Sequence, residues 1–321
     1  MRKYKCFPRF FATFLLLILF QINFAQAPKN NSIEVSVSEI KEDLDFLSSD
    51  KLAGRETGSE GIEKAAEYIE AHFKEIGVTP YFENYRDNFK IEDKDAFNVV
   101  GWLEGKDEEL KNEFIIIGAH YDHIGHGKPV DGDEIANGAN DNAAGTIGVM
   151  HIAEQLSKIN DNKRSVIFAL FSGEEMGLKG SKHLAEKLKK EDLALYTMIN
   201  LEMIGVPMKA KDYMAYITGF EKSNLATKFN EYSEKEVLGF LPQAEQMNLF
   251  KRSDNYPFYE QFGIPAQTIC TFDFSNYPYY HHVDDEAEFL DTEHMADLIE
   301  NLMPALHQMA NTADKEIKMT E

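Results

Sequence analysis

The 321-residue chain carries 55 acidic against 33 basic residues, a net charge of -22, which argues against nucleic acid or an anionic membrane surface as a partner. With 43% hydrophobic residues it can bury a full core. Acidic residues run through the whole sequence rather than forming one block, so a disordered acidic tail is not indicated.

Residues 1–27 read as an export signal. Arg2, Lys3, Lys5 and Arg9 form a basic segment, Phe10–Phe20 an apolar one, and Ala25-Gln26-Ala27 offers small residues for cleavage. The apolar run is too short to span a bilayer as a permanent helix, so cleavage is expected to release a secreted or periplasmic protein with no stable membrane insertion. Loss of Cys6 with the signal would leave Cys270 alone, with no intramolecular disulfide. Residues 28–321 are expected to form one domain, because no repeat, low-complexity tract or Pro/Gly-rich linker interrupts them.

Within that domain helix and strand patterns alternate. Val37–Leu47 and Gly61–Ile76 have apolar residues at helical spacing, and Gly77 suits a C-terminal cap. Apolar runs resembling buried strands lie at Asn98–Leu103, Phe114–Gly118, Ser165–Phe171, Tyr196–Met203, Tyr213–Thr218 and Ala266–Thr271. Helical patterns fall at Ala143–Ile159, Leu178–Leu188, Asn224–Glu234, Tyr256–Phe262 and Thr292–Met309. The alternation predicts an α/β single-domain sandwich with a mixed, mostly parallel central sheet covered by helices on both faces.

In such folds ligands gather at the carboxyl ends of strands. There the sequence sets Ala119-His120-Tyr121-Asp122-His123, then Gly138-Ala139-Asn140-Asp141-Asn142, then Glu174-Glu175 on a Gly-flanked turn, then Asn200-Leu201-Glu202-Met203, and finally Tyr280-His281-His282-Val283-Asp284-Asp285. One of two adjacent acids can hold a metal while the other moves protons, the division of labour a metallohydrolase needs. The intervals from 120 to 141, 175, 202 and 281 rule out a compact zinc finger and favour a site assembled from separated loops. Blander readings compete: His120 as a sheet-edge histidine, Asp141 as a helix cap, His281-His282 as a surface pair. Glu202 resists them, since a carboxylate inside the apolar run Met198–Ile204 is costly unless paired or bound to a cation.

With the N-terminal block Leu47-Ser48-Ser49-Asp50-Lys51-Leu52-Ala53-Gly54-Arg55 and the later Ser253-Asp254-Asn255, these motifs resemble the secreted co-catalytic di-zinc aminopeptidases. Their wider family includes glutamate carboxypeptidases and glutaminyl cyclases. The resemblance implies two Zn²⁺ ions and a peptide substrate. It implies His120 as a ligand of the first ion, oriented by Asp122, with Asp141 bridging both ions. Glu174 corresponds to the general base, and Glu175 and His281 to ligands of the second ion. Glu202 falls where the family usually has Asp as a ligand of the first ion, and Asn255 where it often has His; no ligand role follows for Asn255. His281 is preferred over His282 because Asp285 lies four residues on. The implied activity is removal of N-terminal residues from peptides.

Glutaminyl cyclisation needs a single zinc, whereas this ligand set suffices for two. A carboxypeptidase or dipeptidase needs a basic clamp, for which Lys251 and Arg252 are the candidates. A non-catalytic binding module sits poorly with a donor at every position. Tyr256, Phe258, Phe272, Phe274, Tyr277 and Tyr279 are candidates to wall an apolar side-chain pocket, about half of them expected to be core.

Overall fold

The computed structural model describes residues 1–4 and 33–320. Cys6, the apolar run Phe10–Phe20 and the cleavage site Ala25–Ala27 lie outside the described residues. From Ile33 onward the described residues form one compact unit.

Two helices lead. In α1 (Val37–Leu47) the Ser36 hydroxyl accepts from the Glu39 N–H, and Ile40, Leu44 and Leu47 give the buried stripe. In α2 (Glu60–Glu75) Ser59 caps in the same way, and Ile62, Ala65, Ala66, Ile69 and Phe73 are buried. Strands β1 (Thr79–Pro80), β2 (Arg86–Ile91), β3 (Lys94–Leu103) and β4 (Phe114–His120) follow, then the small hairpin of β5 (His126–Val130) and β6 (Asp133–Ile135). Next come α3 (Gly145–Ile159), β7 (Ser165–Phe171), α4 (Lys179–Lys190), β8 (Leu195–Glu202) and β9 (Ala215–Ile217). The chain continues through α5 (Leu225–Ser233), β10 (Leu238–Gly239), α6 (Pro242–Gln246), α7 (Asn255–Phe262), β11 (Ala266–Cys270) and α8 (Thr292–Asn311).

Among the described residues nine strands make one sheet in the order β1-β3-β7-β4-β8-β11-β9-β10, with β2 also paired to β3. The sheet is mixed: its central strands β7, β4, β8 and β11 are parallel, while β3 joins β7 and β9 joins β11 in antiparallel fashion. Strand side chains alternate between two cores. Ile115, Ile117, Phe168 and Ile199 pack under α1, α2, α3, α5 and α8, whereas Ile116, Ile167, Ala169 and Met198 pack under α4 and α7. All six strands and seven helices expected from the sequence are present, with ends shifted by at most a few residues. The strands absent from the sequence reading are short or, like β2, edge strands too polar to give an apolar run.

The parallel strands point their carboxyl ends the same way. His120 ends β4, Glu174 and Glu175 follow β7, Glu202 ends β8, and β11 leads into the segment carrying His281.

Candidate active site

A cleft of about 530 Å³ opens at these strand ends, lined on its polar side by His120, Asp141, Glu174, Glu202, Ser253 and His281. His120 is buried, its Nε2 2.9 Å from Glu202 Oε1 and 3.4 Å from Asp141 Oδ1. On the other side of Asp141, His281 Nε2 lies 3.2 Å from both Asp141 Oδ2 and Glu175 Oε2. The five residues implied as metal ligands therefore converge, with Asp141 between the two halves.

Backbone geometry sets this up. Residues Ala139–Ala144 form an irregular turn ahead of α3, with a cis peptide at Asp141–Asn142. Asp285 holds that turn: its carboxylate accepts from the N–H groups of Asn140 (2.8 Å) and Asp141 (3.0 Å) and from the Tyr277 hydroxyl (2.7 Å). Asn142 Oδ1 accepts from the Gly145 and Met203 amides, tying the turn to the end of β8. The Glu174-Glu175 turn begins at Gly173 with φ +69°, where a Cβ would come within 2.6 Å of Ile91, so glycine is required.

Asp122 makes a different contact from the one the resemblance implies. Its carboxylate Oδ1 is 3.6 Å from His120 Nδ1, beyond hydrogen-bond reach, and the nearer acceptor is its own main-chain carbonyl at 3.1 Å. The carboxylate instead accepts from the Glu174 N–H (3.2 Å) and the Thr57 hydroxyl (2.9 Å), so it anchors the turn that carries Glu174.

Glu202 is half-buried rather than enclosed in apolar surroundings. Ser253 donates to its Oε2 at 2.7 Å, and Asn200 Nδ2 donates to Ser253 Oγ at 2.8 Å. The longer side chain is thus fixed by partners on β8 and before α7. Asn255 is buried, donating to the Phe250 and Ala266 carbonyls and accepting from Thr268, a structural role.

Arg55, at the end of the block Leu47–Arg55, underpins the site. Its buried guanidinium donates to the main-chain carbonyls of Tyr121, Asn137 and Gly138, and of Leu47, joining the loops that carry His120 and Asp141. Burial pulls its pKa down to about 10, against the raising effect of Asp285, Asp122, Asp141 and Glu175, so it stays charged at neutral pH. Other groups are shifted too. Burial pushes Glu174 well above the usual carboxylate range and Asp254 up to about 7. Asp141 is held well below the usual range: burial opposes this, and hydrogen bonds from His120 and His281 outweigh it. Hydrogen bonds to Asp141 and Glu175 raise His281 to about 10.

Of the residues expected to wall the pocket, Phe272 and Phe274 do so, joined by Met203, Leu249, Cys270 and Tyr280. Phe258 is fully buried beneath the sheet, Tyr277 is committed to Asp285, and neither Tyr256 nor Tyr279 lines the cleft. Arg252 lines it; Lys251 does not.

The donor set fits zinc. Imidazole nitrogens and carboxylate oxygens are its usual hard-to-borderline ligands. Of three groups of three donors within 4.8 Å of one another among the described residues, two lie in this cleft, His120 with Asp141 and Glu202, and His123 with Asp141 and Glu175; His281 falls in neither. His123 Nδ1, Asp141 Oδ2 and Glu175 Oε1 are buried without a well-aligned hydrogen bond, their polar neighbours being one another and the His281 ring, an arrangement that a cation would satisfy.

The family model described as peptidase family M28 matches residues 98–306. A probable leucine aminopeptidase of Trichophyton verrucosum is 27% identical over 207 residues, covering 62% of this chain and 53% of that protein. A probable zinc metalloprotease of Pyrenophora teres f. teres is 34% identical over 114 residues, covering 36% of this chain and 23% of that protein. The chain spans about half the length of the first of these relatives. Among solved structures, the LapA aminopeptidase of Legionella pneumophila superposes with a TM-score of 0.67 at 21% identity, covering 87% of this chain and 73% of that one. A glutaminyl cyclase of Porphyromonas gingivalis gives 0.66 at 15% identity, covering 85% and 98%. At these identities the likeness concerns the fold.

Proposed function

From the chain's membership of peptidase family M28 we propose that it is a zinc-dependent, exported aminopeptidase that uses two zinc ions and Glu174 as its general base. His120, Asp141 and Glu202 would hold one ion, and Asp141, Glu175 and His281 the other. Zinc, when bound, polarises a peptide carbonyl and lowers the pKa of water toward neutrality. The single observation that carries the reading is the convergence of these residues on both sides of Asp141.

The chain's own groups then do the following. Glu174, on a turn anchored through its N–H by Asp122, takes the proton of the attacking water and delivers it to the leaving amine. The carboxylates of Asp141, Glu175 and Glu202 would offset the charge of the two dications, so that a substrate ammonium is not repelled from the cleft. Phe272, Phe274, Met203 and Leu249 receive an apolar side chain. Export rests on the basic and apolar N-terminal segments of the sequence; among the described residues no helix is long and apolar enough to cross a membrane.

Leucyl anilide should be cleaved and its N-acetyl derivative should not, because acetylation removes the ammonium. Equal turnover of both would reject the aminopeptidase reading. Arg252 on the cleft wall favours a second reading, a dipeptidase that clamps the substrate carboxylate. In that case free dipeptides would be cleaved much faster than dipeptide amides, and Arg252→Ala would erase the difference.

A further inference from the structure

His123 belongs to none of the positions implied by the family motifs, and it is the best-placed donor left over. It is 1% exposed, and neither ring nitrogen has a hydrogen-bond partner. Its Nδ1 is 3.0 Å from Glu175 Oε1 and 4.0 Å from Asp141 Oδ2, neither of them a well-aligned hydrogen bond, and His281 Nε2 lies 3.2 Å from the same Asp141 oxygen. Donors about 2.1 Å from a shared tetrahedral ion sit about 3.4 Å from one another, the middle of this range.

The ring is built in rather than caught by chance. Gly138, at φ +58°, leaves the slot it occupies; a Cβ there would fall 2.5 Å from His123 Cγ. The His123 N–H donates to the Arg55 carbonyl, and the Arg55 guanidinium holds the Gly138 carbonyl, so slot and ring are fixed by one residue. The His281 ring lies nearby, its centroid 5.7 Å away in an edge-to-face arrangement and its Nε2 3.2 Å from the same two carboxylates.

We propose that His123 ligates, through Nδ1, the metal ion held by Asp141, Glu175 and His281. That ion then has four protein ligands, whereas the one between His120, Asp141 and Glu202 has three and keeps an open position. Four protein ligands are the pattern of a structural zinc and three that of a catalytic one, so the two ions are unequal in affinity and in role. The inference rests on the zinc-peptidase reading.

X-ray absorption of the wild-type protein loaded with two zinc ions should give an average of about 1.5 imidazoles per zinc, against about 1 if only His120 and His281 bind. Chelator competition on His123→Gln, and on His123→Ser as a second variant, should show one zinc weakened by about 10-fold or more and the other unchanged. An average of 1 imidazole, or wild-type affinity for both ions in both variants, would overturn the proposal and leave His123 as a neighbour of Glu175 only. Failure of the wild-type protein to take up zinc at all would instead bring down the reading on which it rests.

Discussion

Glu202 shows how one extra methylene is accommodated at a proposed ligand position. Its Oε1 meets His120 at 2.9 Å while Ser253 grips Oε2 at 2.7 Å, so the carboxylate is held at both oxygens. Ser253→Ala should leave the carboxylate free to rotate and weaken zinc binding at that site by roughly 10- to 100-fold, the usual effect of losing a residue that orients a ligand. Chelator competition reads this directly, and an unchanged affinity would mean that His120 and Asp141 suffice. At this scale the sequence exposed the donors but not their supports. His120, Asp141, Glu175 and His281 stood at strand ends, and Glu202 betrayed itself as an acid in an apolar run. His123 was in plain view three residues after His120, and the second histidine in a five-residue run was the signal. Asp285 was marked by its place four residues after His281, but that it and Arg55 act through backbone groups of distant loops is a contact that leaves no sign in residue type.

At the level of elements, α1 and α3 are joined by a buried ionic cluster away from the cleft. His151 of α3 bonds Asp43 of α1 at 2.8 Å and faces Glu154 at 3.5 Å; Tyr68 donates to Asp43, Lys158 pairs with Glu154, and the His72 ring lies beside it. Burial would lower the His151 pKa, but Asp43 and Glu154 prevail and hold it up at about 9. A pKa raised on folding gives stability that is complete below the unfolded value of about 6.5 and is lost as pH rises through the folded value. Urea unfolding of the zinc-loaded protein should therefore weaken between about pH 6.5 and pH 9 by on the order of 3 kcal/mol more in the wild type than in His151→Gln. Parallel pH profiles would show that the cluster contributes nothing through charge. The apolar strands and amphipathic helices were legible because each buries a continuous face. The β5–β6 hairpin was not, since its residues are exposed or half-exposed and leave no alternation to read.

For the whole molecule, the parallel central strands bring donors more than a hundred residues apart to one edge of one sheet, while the antiparallel flanks complete the sheet on either side. Strand order is invisible in a sequence of runs; the resemblance set His120 and Glu202 on one ion, and the fold adds that they meet across adjacent strands β4 and β8. The central claim is that this edge is a zinc-dependent hydrolytic site with Glu174 as its base. Zinc content and turnover of leucyl anilide, measured on the same preparation of Glu174→Gln, test it most directly. Glu174→Gln should keep wild-type zinc content with kcat lowered by roughly 10²- to 10⁴-fold, the range general-base catalysis commands. Wild-type turnover with zinc retained would contradict it.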